Sequence, residues 1–252
     1  MEGERCSLNP ERACSMVGVF GSAVFPASAC DVEECSGMST SVLTILPPGG
    51  QGLLGDAPLS PQGVAEPARW DLPELEGRLV EISGEGASAA LTCAFGLVVE
   101  AQGRGENAAW ISARRDGFFP PDAAAGGVDL GALPVVSTAG VLAAGRAASH
   151  LLRSGAFGLV VLDLGEGAEL PAPLLSRLTG LAQRHGAVLL ALTDKGGETP
   201  SLGSLVSLRA EARREELPGG GGFRCELVIL KDKRRGPGAR FVEVCHGPAG
   251  LR

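Results

Sequence analysis

The sequence predicts an α/β fold: a mostly parallel sheet flanked by helices and extended by antiparallel edge strands. Three observations carry this. The runs Leu-Val-Val-Leu-Asp at 159–163 and Ala-Val-Leu-Leu-Ala-Leu at 187–192 are apolar almost throughout, as strands covered on both faces are. From residue 78 onward, strand-like runs alternate with helix-length segments, which implies right-handed crossovers between parallel strands. After residue 192, three strand candidates follow with no long helix between them, which suits an antiparallel edge.

The elements follow in order. Residues 47–73 are rich in Pro and Gly, lack a sustained apolar period and read as an irregular arm or linker. Residues 78–83 form a short apolar strand, 84–86 a turn, and 87–101 an Ala/Leu-rich helix-length run. Residues 108–112 are the next strand. Residues 137–153 suit a helix, with Val141, Leu142, Ala148, Leu151 and Leu152 on its apolar side. A strand at 158–163 follows, then Leu174, Leu178, Leu181 and Ala182 at helical spacing, then the strand at 187–192. The closing strand candidates are 204–210, 225–231 and 241–245. The expected organisation is an acidic, largely disordered arm over 1–75 and one core domain over 76–248.

Composition narrows the function. The chain has 252 residues, a formal net charge of −7 and an apolar fraction of 44%, too high for wholesale disorder. The imbalance is local: residues 1–75 hold three Arg against ten acids, whereas 76–252 hold 19 charges of each sign. Residues 205–252 hold ten basic groups and six acids. A uniformly basic nucleic-acid binder is excluded, while a local basic patch is not. No run reaches the roughly 18 apolar residues that cross a bilayer, so no membrane partner is expected.

Residues 16–30 resemble a signal peptide, but the charged residues before them (Glu2, Glu4, Arg5, Glu11, Arg12) are not net positive. The expectation is that 1–37 is a disordered tail or precedes a true start at Met38. Cys6, Cys14, Cys30 and Cys35 are irregularly spaced with no C-x-x-C pair, so a zinc site is not favoured. Cys93, Cys225 and Cys245 sit in apolar stretches and read as small buried hydrophobes. An odd cysteine count without a framework suits a reducing, cytoplasmic setting. His150, His185 and His246 show no metal spacing. Ser83 and Ser88 flank the turn at 84–86 without forming a G-x-S-x-G elbow.

The strand, Gly turn and helix at 79–101 form the arrangement in which α/β proteins bind phosphate. A working P-loop needs glycines for the turn, a Lys for the phosphates and a Ser/Thr for magnesium. Here Gly84 and Gly86 supply the turn, but Ala89, Ala90 and Leu91 stand where the Gly-Lys-Ser/Thr triplet belongs, and Glu85 adds negative charge. Asp163, ending an apolar strand, matches a metal-side acid. A reading of Gly84 and Gly86 as a plain structural turn, and of Asp163 as a strand-end polar residue, stands beside this. Lys231, Lys233, Arg234, Arg235 and Arg240 form a basic hairpin, read either as a solvated turn or as a contact for DNA or an acidic partner.

The ordered set of segments resembles the RecA recombinase core over roughly residues 77–247. Residues 79–84 resemble its opening strand and 153–163 its Walker B strand and approach. Residues 208–214, 230–233 and 240–244 resemble its closing hairpins. By that resemblance the family's P-loop Lys and Thr fall on Ala90 and Leu91, its catalytic Glu on Arg114, and its nucleotide-sensing Gln near Thr193. Its second DNA loop is shortened to about 194–201, and its Lys pair, which reaches a neighbouring subunit's nucleotide, is kept as Lys231 and Lys233.

Among RecA-like proteins the chain resembles the ImuA class, also labelled SulA-like, of bacterial mutagenesis cassettes. The resemblance implies a non-catalytic accessory protein in DNA repair and SOS damage-induced translesion synthesis. Its implied partners are RecA, an ImuB-type polymerase and DNA, and it is a possible oligomer. No cofactor is expected, with ATP and magnesium bound only if the degenerate site still accepts them. The alternatives are a divergent ATP-dependent recombinase paralogue and a regulatory inhibitor that uses the fold as a scaffold.

Overall fold

The computed structural model describes residues 44–45, 69–114, 117–219 and 222–245. They all fall in one unit spanning Ser41–Arg252. The expectations for 1–37, Met38, Cys6, Cys14, Cys30, Cys35 and His246, and for most of the 47–73 linker, lie outside the described residues.

The elements are β1 (Thr44–Ile45), α1 (Leu72–Leu75), β2 (Leu79–Gly84), α2 (Ala90–Gly103), β3 (Ala108–Ser112) and α3 (Pro120–Ala125). A short 3-10 turn (Leu130–Ala132) leads to β4 (Val135–Ser137), α4 (Val141–Ser154), β5 (Leu159–Gly165), α5 (Ala172–His185) and β6 (Val188–Asp194). The chain closes with β7 (Leu208–Glu216), β8 (Phe223–Asp232) and β9 (Arg240–Cys245).

These strands form one sheet in the order β1-β9-β8-β7-β2-β6-β5-β3-β4. The pairs from β4 through β7 are parallel, and those from β7 to β1 are antiparallel. The fold is therefore α/β with a mostly parallel sheet and antiparallel edge strands. The fully apolar runs are its covered centre: β5 is buried throughout and β6 along all but its last residue.

Each face of the sheet carries its own core. Val80, Ile82, Trp110, Val161 and Leu190 pack with Leu97 and Val98 of α2 on one face. Leu79, Ile111, Leu162 and Leu189 pack with Leu152 of α4 and Leu178 of α5 on the other. The chain moves outward from β2 to β4, then returns through β5 and β6 and passes β2 to reach β7. That reversal makes the carboxyl end of β2 and β6 a topological switch point, the usual crevice for a ligand.

The core begins earlier than residue 76. Asp71 caps α1 by accepting from the Glu74 N–H at 3.1 Å, and Leu72 and Leu75 are buried. Trp70 is also buried, with its ring 6.1 Å from that of Phe241. The last crossover, residues 195–207 between β6 and β7, contains no helix.

Candidate functional site

At the carboxyl end of β2, Gly84 lies in register with Asp194 of β6. A Cβ at Gly84 would collide with the Ser88 side chain, so the turn closes this tightly only over glycine. Gly86 takes the left-handed conformation at φ 57°. Ala89 is buried at the start of α2 and provides no side-chain cap, Ala90 is half-buried, and Leu91 is 41% exposed. The positions on which the RecA resemblance puts a phosphate-binding Lys and a magnesium-binding Thr thus hold a methyl group and an outward isobutyl group.

Acids gather around this turn. Glu85 is exposed, and its Oε2 is 3.2 Å from where a Cβ on Gly196 would sit. Glu211 accepts a 2.9 Å hydrogen bond from the Gly197 N–H. Lys195, the cation that follows β6, points away: its Nζ lies 2.7 Å from Glu81 Oε1 and donates at 2.7 Å to the Pro200 carbonyl. A phosphate here would meet the exposed carboxylate of Glu85, while Glu211 is already paired with Arg213 at 2.6 Å.

Asp163 sits at the end of β5 and is 1% exposed. Its Oδ2 accepts from the Ser112 hydroxyl at 3.2 Å, and its Oδ1 is 3.9 Å from Arg114 Nη1. Register makes the first contact inevitable, because Ser112 is the β3 partner of Asp163. A Cβ on Gly117 would run into the same carboxylate and into Ser112 Oγ, so the backbone at Gly117 closes over it. Burial raises the Asp163 pKa, Arg114 and the Ser112 hydrogen bond lower it, and Asp194 adds to the rise. The residue at the position of the resembled family's catalytic Glu thus lies beside the residue at the position of its metal-side Asp.

Sequence reasoning missed a buried polar layer beneath the last crossover. Glu81, fully buried in β2, accepts from Thr193 Oγ1 (3.0 Å) and from the Leu202 N–H (2.9 Å), besides pairing with Lys195. Arg209 of β7 donates to Ser83 Oγ and to the Gly196 carbonyl at 2.9 Å, and also to the Thr199 carbonyl. Arg78 donates to Ser207 Oγ (3.0 Å) and O (3.2 Å) and pairs with Asp232. The available signal was a Glu in the middle of an apolar strand and an Arg in the second position of another.

The basic hairpin lies at the other end of the sheet from the Gly84 turn. Leu208, which begins β7, pairs with Asp232, which ends β8, so the β8–β9 turn sits at the amino edge of the parallel strands. A register shift opposite Arg209 and Ala210 brings Lys231 beside Arg209. Its Nζ reaches the Ser204 carbonyl at 3.5 Å, and Lys233 donates to the same oxygen at 2.7 Å. Burial lowers the Lys231 pKa, and Lys233 lowers it further. Arg234 donates to the Glu74 and Glu76 carbonyls, Arg235 pairs with Glu74 at 2.9 Å, and Arg240 pairs with Glu226 at 3.2 Å. All five cations contact their own chain, and four of them, Lys231 excepted, remain exposed.

The sequence-predicted residues thus fall into two groups. Gly84, Gly86, Ala89, Ala90, Leu91 and Asp163 share the carboxyl edge, and Lys231, Lys233, Arg234, Arg235 and Arg240 share the amino edge. Cys225 is buried, with Cys93 and Cys245 half-buried beside the same core. His150 and His185 are exposed. Among the described residues no group of three or more His, Cys, Asp or Glu side chains is arranged to hold a metal ion, and no helix is long and apolar enough to cross a membrane. No protein-family model matches the chain, and no curated protein matches it.

Proposed function

We propose that the protein is a non-catalytic RecA-like accessory factor in DNA repair and damage-induced translesion mutagenesis. It acts by docking to RecA or to an ImuB-type polymerase, and to DNA through its basic end. The observation that carries this reading is the closed state of the carboxyl edge. A strand, Gly turn and helix of the kind that can hold a nucleotide stand at the switch point, yet Arg114 and Gly117 cover Asp163 and no Lys faces the turn. A domain that keeps this architecture without its phosphate and metal ligands works through its surfaces. The presence in one sheet of every segment that resembles the RecA core supports the family reading.

Two measurements test it. Titration of the whole chain with ATP and magnesium is expected to give neither saturable binding in the micromolar range nor turnover; either result makes the protein a divergent recombinase paralogue instead. Affinity capture with purified RecA and a Y-family polymerase homologue is expected to retain at least one of them. Retention of neither favours the regulatory scaffold. Deleting 205–252 is unsuitable as a mapping variant because it removes β7, β8 and β9 from the sheet. Charge reversal at exposed Arg240 maps the basic end without that loss.

A further inference from the structure

Three cysteines from separate elements meet at one edge of the first core. Cys93 lies in the first turn of α2, Cys225 in β8, and Cys245 at the end of β9. In the β8–β9 ladder Phe223 faces Cys245 and Cys225 faces Glu243, which makes Cys225 and Cys245 diagonal neighbours on one face. Their thiols are close enough to interact. The trio is not arranged as a metal site. It places a dithiol beside a third thiol at the sheet edge.

The three sulfurs differ in kind. The hydrogen bond with Cys245 lowers the Cys225 pKa, against an opposing rise from burial. The same bond raises the Cys245 pKa, with burial adding to it. Burial is also the largest cause of the raised Cys93 pKa. Cys225 is thus the more readily ionised of the two, and Cys245 is the neighbour placed to follow it. Cys225 is only 4% exposed, which restricts attack to a small oxidant.

We propose that Cys225 and Cys245 are a reversible redox pair, oxidised by hydrogen peroxide to a β8–β9 disulfide. The Cys225 sulfur attacks one peroxide oxygen; an S–O bond forms, the O–O bond breaks, and the leaving hydroxide takes up the thiol proton as water. The Cys245 sulfur then attacks the sulfenic sulfur; the S–S bond forms, the S–O bond breaks, and a second water leaves with the Cys245 proton. Two thiols lose two electrons and one peroxide becomes two waters. Diagonal Cα atoms lie about 7–8 Å apart in a sheet, just beyond the roughly 4.4–6.8 Å usual for a disulfide. Closure therefore draws the last residue of β9 inward, and the strained bond belongs to the easily reduced class. Oxidation fastens the end of β9 to β8, and reduction frees it.

Peptide mapping of the full chain after peroxide treatment tests this. Trypsin places Cys93, Cys225 and Cys245 on separate peptides, 79–104, 225–231 and 241–252. The expected product links 225–231 to 241–252, leaves Cys93 alkylatable, and returns to free peptides with dithiothreitol. Cys93→Ser is expected to keep the link. Cys245→Ser is expected to abolish it and leave a Cys225 sulfenic acid that dimedone captures. The proposal is overturned if Cys225 stays reduced, if it links to Cys93 or to an N-terminal cysteine, or if it proceeds to sulfinic acid in the wild-type chain. Mapping of the wild-type chain decides the matter even if a variant fails to fold.

Discussion

The two faces of β2 are built on different principles. Toward α2 the strand presents Val80 and Ile82, which pack against Leu97 and Val98. Toward the β6–β7 crossover it presents Leu79, Glu81 and Ser83, with Arg209 of β7 beside them. The difference follows from what covers each face. A helix satisfies its own backbone and asks only for apolar contact, whereas a loop laid over a sheet brings backbone N–H and C=O groups that need partners. Glu81 takes the Leu202 N–H, Arg209 the Gly196 and Thr199 carbonyls, Lys195 the Pro200 carbonyl, and Lys231 and Lys233 the Ser204 carbonyl. These charges, buried in Glu81 and Arg209 and exposed in Lys233, are the hydrogen-bond complement of a helix-free crossover.

The largest expected effect comes from breaking that complement. Glu81→Ala removes the acceptor of Thr193, Lys195 and Leu202, and loss of one partner from a buried ion pair costs about 3–5 kcal/mol. Denaturant unfolding should read that loss. Hydrogen exchange should show residues 195–207 losing protection while α4 and α5 keep theirs. A Glu81→Leu, Lys195→Met double variant sharpens the comparison. Apolar replacement of a buried pair is often neutral, but here the Leu202 N–H still lacks an acceptor. Stability should recover only in part, and full recovery would mean that the loop does not depend on Glu81.

On the helix-covered side the effect is packing alone. Leu97→Ala in α2 removes a buried side chain and should cost about 2–5 kcal/mol by chemical denaturation, with exchange in 195–207 unchanged. A change confined to the crossover would erase the distinction between the two faces.

Asp163 gives a smaller, pH-dependent effect. Burial raises its folded pKa, so its contribution is fully present below the ordinary carboxylate pKa of about 3.9 and is lost as pH rises through the raised folded value. Asp163→Asn does not ionise. The Tm of that variant relative to wild type should therefore climb as pH rises out of the acid range, then level off. A difference that falls over the same range would show that Arg114 outweighs burial.

The same contrast explains how much the sequence disclosed. β5 and β6 were legible because helices cover both their faces, which forces unbroken apolar runs. α1 was not legible: four residues inside a Pro-rich stretch carry no helical period, and only the burial of Leu72 and Leu75 reveals it. β4, three residues at an exposed edge, gave as little. β7 runs to Glu216, past the expected end near residue 210, because Arg213, Arg214, Glu215 and Glu216 are held by the hairpin ladder rather than by a core. The Gly84 turn was legible from its glycines. The Arg114–Asp163 pair was not, since it arises only when β3 and β5 become neighbours.

The smallest stability effect is expected at Arg240, and it separates an anchoring cation from one available to a partner. Its side chain is 58% exposed and pairs with a Glu226 that is itself partly exposed. Arg240→Ala should therefore cost less than about 1 kcal/mol. Arg78, 2% exposed and tied to Ser207 and Asp232, has no comparable freedom. If the basic end holds DNA, Arg240→Ala should weaken retardation of a duplex and reduce the slope of log affinity against log salt by about one. Thermal unfolding should be almost unmoved. A stability loss as large as that of Glu81→Ala would make Arg240 part of the fold's own ion network, and an unchanged salt slope would take it out of any DNA contact.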